Sequence, residues 1–208
     1  MASPELPIHL RLIRELVQVR RIVGTRSLLR YLACLSRRLP AVLKQRSLGP
    51  ADGLMRGPLT LRTPSGDLRI DCSDFGVVRE IFGSRCYAFA DWIQRSRTFL
   101  DLGANEGLFV LYALAADPLN QVTAVEAQAS LCTRLQRNLE RNHLQSRARV
   151  IQALAGGLNK QLEPIAAAVP LLDMERLLQE LGDVDFVKID IEGSEFDLFA
   201  QCDSWIHK

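Results

Sequence analysis

The sequence predicts an α/β fold: a mostly parallel sheet with helices on both faces, preceded by a basic helical extension. Three observations predict it. From Thr98 onward, short apolar runs alternate with helical patterns, which is the order of a parallel sheet with crossover helices. Before Thr98 the chain carries an alternating pattern typical of a hairpin instead. Residues 1–48 hold ten Lys/Arg and two acids, so they carry +8 and the remainder −6 of a formal net charge of +2.

The composition is that of a folded soluble protein, with 208 residues of which 48% are hydrophobic. The five cysteines show no CxxC or Cys/His spacing, so neither a disulfide framework nor a zinc site is predicted, and a cytoplasmic location fits best. No secretory signal is visible. The longest apolar run, Leu108–Ala116, is about half of a membrane span and indicates a buried helix.

Between Ile8 and about Leu43, apolar residues recur every three or four positions with arginines between them. This spacing predicts two amphipathic helices that are interrupted near Gly24. They could contact a membrane surface or nucleic acid, or they could be a helical lead-in packed on the domain with its arginines in water. We favour the lead-in, because no Trp or Phe marks the apolar face and no nucleic-acid motif is present.

The segment Leu48–Pro58 contains three glycines and two prolines and predicts a boundary. The residues that follow alternate apolar and polar side chains around Pro64-Ser65-Gly66, which predicts a short hairpin. Asp74 then indicates the cap of a helix that ends near Phe82. We therefore expect three parts: an extension (1–48), a linking segment with hairpin and helix (49–97), and an α/β domain (98–208).

The α/β domain is predicted to contain four strands and four helices. The strands are Thr98–Leu102, Val122–Glu126, Arg149–Leu154 and Asp185–Ile191, and the helices are Gly107–Ala116, Ala129–Arg141, Asp173–Leu181 and Ser194–Gln201.

The stretch TFLDLGANEG places Asp101 near the end of the first of these strands, followed by a loop with two glycines. In a doubly wound sheet, ligands bind at the carboxyl ends of the strands, at the switch point beside the first strand. Gly103 and Gly107 lack a Cβ, so the loop can turn tightly and its amides can approach a ligand closely. A nucleotide-like cofactor is therefore the first hypothesis.

The charge of the loop discriminates between cofactors. A dinucleotide favours GxGxxG around its pyrophosphate, whereas this loop is GxxxG and is flanked by Asp101 and Glu106. These acids suit the positive sulfonium and α-amino groups of S-adenosylmethionine. Glu126 ends the next strand, 19 residues after Gly107, where its carboxylate can accept hydrogen bonds from ribose hydroxyls. A nicotinamide-dependent oxidoreductase is an alternative that the acids disfavour.

A second acidic segment, VKIDIEGSE, reaches the same sheet edge. Lys188, Asp190 and Glu192 share one face of its strand. Asp190 or Glu192 could bind or deprotonate a substrate hydroxyl; alternatively, Asp190 pairs with Lys188, while Ser194 and Glu195 satisfy the next helix N-terminus. We favour the functional interpretation for Asp190 and the structural one for Glu195, and leave Glu192 open. Two carboxylates without a histidine hold a metal weakly, so we predict no metal site.

Five segments, FLDLGANEG, VTAVEA, LQRNLERN, LLDMERLLQELGDVDF and VKIDIEGSE, occur in an order that resembles the FkbM family of S-adenosylmethionine-dependent methyltransferases. The resemblance covers roughly Asp74 to Phe199. It implies a Rossmann-like class I methyltransferase fold and O-methylation of a hydroxyl, often on a sugar or a polyketide-like product. The resemblance implies a cofactor site at Asp101, Gly103, Ala104, Asn105, Gly107, Glu126 and Ala127, with Asp190 and Glu192 near the acceptor.

The chain departs from this family in two respects. Position 106 is Glu where an aliphatic residue is usual, which would add negative charge beside the site. Only 17 residues follow Ile191, whereas a class I fold usually adds three strands and a helix there. We therefore expect an open sheet edge, through which copies of the chain could associate. The alternative function is a truncated, non-catalytic protein that binds the cofactor, a membrane or a partner.

Overall fold

A computed structural model describes residues 7–84, 86–87, 93, 95–156, 169–191 and 193–200. The chain forms two compact units, Met1–Tyr87 and Ala88–Lys208. Among the described residues, no helix combines the length and apolar character that crossing a membrane requires.

The first unit contains the two predicted amphipathic helices and the predicted hairpin. Its elements are α1 (Ile8–Ile22), α2 (Thr25–Gln45), α3 (Gly49–Asp52), β1 (Gly57–Thr63), β2 (Gly66–Cys72) and α4 (Phe75–Val78), which continues as a π-helical turn at Arg79–Gly83. Asp74 caps α4 as predicted, since its carboxylate accepts a hydrogen bond from the N–H of Gly76 at 2.8 Å. The segment expected as a boundary contains α3 and the start of β1, inside this unit.

A buried polar network joins the helices of the first unit. The Tyr31 hydroxyl donates to Asp52 at 2.8 Å, and the Arg79 guanidinium lies 2.9 Å from Asp52 and 3.2 Å from Glu15. Burial, with the nearby Asp52 carboxylate, raises the pKa of Tyr31, so its hydroxyl remains a donor at neutral pH. The Tyr31 and Phe75 rings also pack together, 5.1 Å apart.

The second unit is built on a parallel sheet, as the sequence predicts. Its described strands lie in the order β5-β4-β3-β6 and every neighbouring pair is parallel. The elements are β3 (Thr98–Leu102), α5 (Leu108–Ala116), β4 (Gln121–Glu126), α6 (Ala129–Arg141), a 3₁₀ turn at Gln145–Arg147, β5 (Ala148–Gln152), α7 (Met174–Leu181), β6 (Phe186–Ile189) and α8 (Glu195–Ala200).

Helices cover both faces of this sheet. On one face, Leu100 and Leu102 of β3 belong to a buried apolar cluster with Leu177 of α7 and Leu198 of α8. The intervening residues of β3 point to the other face, where Phe99 packs against Phe109 of α5 with ring centroids 6.5 Å apart. Because apolar side chains cover the strand on both faces, β3 reads as a continuous apolar run interrupted only by Asp101.

The sheet order places the predicted site at a switch point. The chain passes from β3 to β4 and β5 on one side and then returns to add β6 on the other side of β3. The carboxyl ends of β4, β3 and β6 therefore meet at one edge. Two predicted strands are shorter than expected: β5 ends at Gln152, and β6 spans Phe186–Ile189.

Candidate functional site

Asp101 and Lys188 form a buried ion pair between neighbouring strands. They are paired positions of β3 and β6, and Lys188 Nζ lies 3.1 Å from Asp101 Oδ1. Asp101 is fully buried and Lys188 is 8% exposed. The same ammonium group donates to the carbonyl of Gly103 at 3.3 Å. The pair thus ties the start of the glycine loop to β6.

The second oxygen of Asp101 has no hydrogen-bond partner among the described residues. Oδ2 is buried and makes no hydrogen bond within the described part of the chain. Burial raises the pKa of Asp101 to about 6, although Lys188 opposes the rise. The carboxyl is therefore mainly ionised at neutral pH. A buried acceptor without a donor is costly, and a cationic group of a ligand is one partner that would satisfy it.

The glycine loop packs tightly against the residue that follows β6 and against helix α6. Gly103 has φ +80°, and a Cβ there would lie 1.9 Å from the carbonyl oxygen of Asp190. Gly107 has φ +84°, and its Cβ would lie 2.7 Å from Leu135 Cγ. From the sequence, the missing side chain at Gly103 was expected to let a ligand approach the loop closely. In the structure the protein's own backbone fills it, so this glycine permits the contact between the ends of β3 and β6.

Glu126 is fixed at the end of β4 by two backbone amides. Its Oε2 accepts from the N–H of Asn105 and its Oε1 from the N–H of Gln128, both at 2.9 Å. Asn105 adopts a left-handed conformation, φ +50°, which brings its amide to the carboxylate. A carboxylate oxygen can accept a second hydrogen bond. Glu126, 8% exposed, therefore retains acceptor capacity for a pair of hydroxyls.

The amides at the start of the loop are already engaged. The N–H groups of Gly103 and Ala104 both donate to the carbonyl of Val125, at 2.9 and 3.0 Å. The carbonyl of Ala127 accepts from the Gln152 side chain at 3.4 Å. Glu126 therefore supplies the acceptor capacity that remains for hydroxyl donors, and the buried carboxylate of Asp101 adds negative charge that favours a cation at this edge.

Glu106 does not add an unpaired charge to the site, contrary to the sequence expectation. Its side chain is 3% exposed and lies 3.7 Å from Arg134 Nε of α6. Its carbonyl accepts from the Asn138 side chain at 3.0 Å. The charge that disfavours a pyrophosphate at this edge of the sheet is therefore that of Asp101 and Glu126.

Asp190 is an acid of the site that solvent can reach. Its side chain is 65% exposed, and its Oδ2 lies 3.4 Å from Lys188 Nζ. Its backbone N–H donates to the carbonyl of Leu102 at 3.0 Å, which holds the residue beside the end of β3. Lys188 thus bridges a buried acid and an exposed one. The other predicted acceptor-side acid, Glu192, lies outside the described residues.

Glu195 has the structural role favoured from the sequence. Its carboxylate accepts from the N–H of Ile191 at 3.1 Å and of Gly193 at 2.8 Å. Backbone N–H groups, first its own and then those of Ile191 and Gly193, hold the pKa of Glu195 below its ordinary value. It orders the turn between β6 and α8.

Sequence reasoning missed the main role of Lys188, which it considered only as a partner for Asp190. The charged residue in an otherwise apolar strand was the available signal, but its partner depends on the register with β3.

No group of three His, Cys, Asp or Glu residues suited to a metal occurs among the described residues. A cavity of about 520 Å³ lies elsewhere, in the first unit, beside Asp52, Asp74 and Arg79.

No family model and no curated protein matches the chain. Among solved structures it is similar to an O-methyltransferase from Bacillus cereus in complex with SAH, with 20% identity, TM-score 0.37, and 53% of this chain and 46% of that chain covered. It is also similar to a SAM-dependent methyltransferase from Agrobacterium tumefaciens, with 20% identity, TM-score 0.36, and 46% and 32% covered. A third similar structure is StiE O-MT residues 942–1257, with 14% identity, TM-score 0.33, and 36% of this chain and 27% of that chain covered. The matched region spans less than half of each of these structures.

Proposed function

We propose that the chain is an S-adenosylmethionine-dependent methyltransferase of the FkbM type that methylates a hydroxyl of a sugar or a natural-product-like small molecule. The observation that carries the proposal is the pair of acids at the ends of β3 and β4. Asp101 has a buried oxygen to which no described residue donates, and Glu126 is held in place with acceptor capacity left. S-adenosylmethionine carries a cationic amino group and a ribose diol, one for each acid.

The residues present fit this cofactor on chemical grounds. Glu126 would accept hydrogen bonds from the ribose hydroxyls, and Asp101 Oδ2 would accept one from the α-amino group. The loop of Gly103, Asn105 and Gly107 would form the wall between them, and Ala104 and Ala127 would flank it. When bound, the cofactor supplies an electrophilic methyl group.

Asp190 is the proposed acceptor-side residue. Its exposed carboxylate lies next to the end of β3, where it can accept a hydrogen bond from an acceptor hydroxyl and orient the oxygen. With a hydroxyl so oriented, this carboxylate would accept the hydroxyl proton as the oxygen becomes methylated. Most of the rate enhancement would come from positioning, with general-base assistance contributing about 10²–10⁴-fold.

Calorimetric titration of the full chain with S-adenosylhomocysteine tests the cofactor site. We expect micromolar binding that Glu126→Ala abolishes. Glu140→Ala, which removes an exposed glutamate of α6, should leave it unchanged. A folded chain that binds no S-adenosylhomocysteine would contradict the proposal and favour the non-catalytic alternative. Binding of NADH in its place would favour an oxidoreductase.

The role of Asp190 is tested separately, once an acceptor is found by screening sugars first. Asp190→Asn should bind S-adenosylhomocysteine as the wild type does and transfer methyl groups about 10²–10⁴ times more slowly. Transfer at the wild-type rate would show that Asp190 is not the base.

A further inference from the structure

Helix α2 presents an apolar stripe to solvent in addition to its buried face. Leu29, Leu32, Leu39 and Leu43 are 44–64% exposed. At 3.6 residues per turn they lie within about 80° of one another around the helix axis. Tyr31 and Val42, which are buried in the first unit, lie on a different side of the helix. Packing of α2 in its own unit therefore leaves this stripe uncovered.

Helix α1 repeats the arrangement. Leu10, Ile13 and Val17 are 43–56% exposed and lie within about 60° of one another. The buried residues of α1, Val19 and Ile22, belong to another part of its circumference. Isolated exposed leucines are common on proteins, but seven apolar residues on two stripes form the kind of surface that marks an interaction site.

Positive charge accompanies both stripes. Helix α2 contains five Lys/Arg and no acid, and α1 contains four arginines and one glutamate. On α2, the exposed residues Arg26, Arg37 and Lys44 form a row about 100° from the centre of the leucine stripe. On α1, Arg14 and Arg21 lie within about 40° of Leu10. Each apolar stripe is thus bordered by cations.

We propose that α1 and α2 bind the surface of an anionic lipid bilayer. The leucine stripes would enter the boundary between headgroups and acyl chains, while the flanking cations contact lipid phosphates. A second copy of the chain is a poorer occupant, because it would bring two regions of net charge +8 together. Nucleic acid would use the cations but leave the leucines in water.

Vesicle co-sedimentation of the full chain tests the proposal, with phosphatidylcholine vesicles that contain or lack phosphatidylglycerol. We expect binding to the anionic vesicles alone, weakened by added salt because salt screens the charges. Leu29→Gln/Leu39→Gln/Leu43→Gln should lower the affinity at least about tenfold. The matched control, Leu119→Gln/Leu171→Gln, alters two exposed leucines of the second unit and should bind as the wild type does.

A second pair of variants tests the contribution of the cations. Arg37→Gln/Lys44→Gln should weaken vesicle binding more than Arg62→Gln/Arg137→Gln, which removes two exposed cations outside these helices. All substituted side chains are exposed, so circular dichroism should show unchanged folding. The proposal is overturned if the chain ignores anionic vesicles, if the leucine variant binds like its control, or if the stripe instead mediates a dimer in solution. None of these outcomes bears on S-adenosylhomocysteine binding.

Discussion

The carboxyl of Asp101 titrates close to the pH of most assays, because burial raises its pKa from an ordinary 3.8 to about 6. If its ionised form holds the α-amino group of the cofactor, affinity for S-adenosylhomocysteine should be constant above about pH 7 and fall as the pH drops below 6. Calorimetry between pH 5 and 8 would measure this. Asp101→Asn should bind weakly at every pH, and His143→Gln, at an exposed position, should keep the wild-type profile. A pH-independent affinity would contradict the assignment.

The Asp101 carboxyl gives the stability of the free protein a pH dependence opposite to that of the affinity for S-adenosylhomocysteine. Because its pKa is higher in the folded protein than in the unfolded chain, the stability that it contributes is complete below about pH 3.8 and is lost as the pH rises through about 6. Bound cofactor would offset this loss by supplying a cation. The increase in Tm on adding S-adenosylhomocysteine should therefore be larger at pH 8 than at pH 5.

The substitution Gly103→Ala tests the close contact between the backbone of the glycine loop and the backbone of Asp190. Gly103→Ala would place a methyl group 1.9 Å from the Asp190 carbonyl and also strain a positive φ. Gly182 has a positive φ as well but open space around it, so Gly182→Ala measures strain alone, about 1–3 kcal/mol. Gly103→Ala should lower the free energy of unfolding by about 1–3 kcal/mol more, or prevent folding. Equal losses in urea denaturation would show that the loop can move aside.

Single residues of the site were predictable to different degrees. Asp101 and Glu126 could be predicted as site residues, because a carboxylate at the end of an apolar strand is visible in the sequence. The environment of Glu106 was not, because its partner Arg134 lies on another element and nothing local signals the pairing. Similarly, the sequence shows that Gly103 must be small, but not that Asp190 is the neighbour that requires it.

The pairing of β3 with β6 depends on Lys188. Lys188→Met would leave the Asp101 carboxylate buried without its cation, and removal of one member of a buried ion pair costs about 3–5 kcal/mol. Urea denaturation at pH 7 should show a loss of this order, and a smaller one at pH 5, where Asp101 is protonated. Arg149→Met removes an ion pair that is largely exposed and should change stability far less. A loss independent of pH would indicate a packing effect.

The strands, the helices and the parallel sheet followed from the hydrophobic pattern, whereas the strand ends and the register did not. The predicted helix Ala129–Arg141 matches α6 residue for residue, because its amphipathic period is strong. The strand expected to reach Leu154 ends at Gln152, since Leu154 pairs with Leu171 as an isolated bridge. That partner is distant in sequence and has no strand pattern of its own. The register that sets Lys188 opposite Asp101 is likewise a property of the assembled sheet.

The division of the chain into two units predicts where a ligand acts. Every residue of the candidate site belongs to the unit Ala88–Lys208. Hydrogen exchange with S-adenosylhomocysteine present should therefore show added protection in peptides covering 98–107 and 121–128, and little in peptides covering 25–72. Anionic vesicles should give the reverse, with protection on 8–45. Cofactor protection centred on the first unit would refute the placement of the site.

The separation of Asp101 and Lys188 by 87 residues also matters while the protein is being made. At about 5–20 residues per second, the ribosome needs about 4–17 s to synthesise the segment between them. Until β6 leaves the exit tunnel, β3 carries an acid without its cation and one sheet edge without its neighbour. If the proposed cofactor binds at this edge, binding would therefore follow the synthesis of β6, and until then the unpaired edge of β3 would be exposed to aggregation.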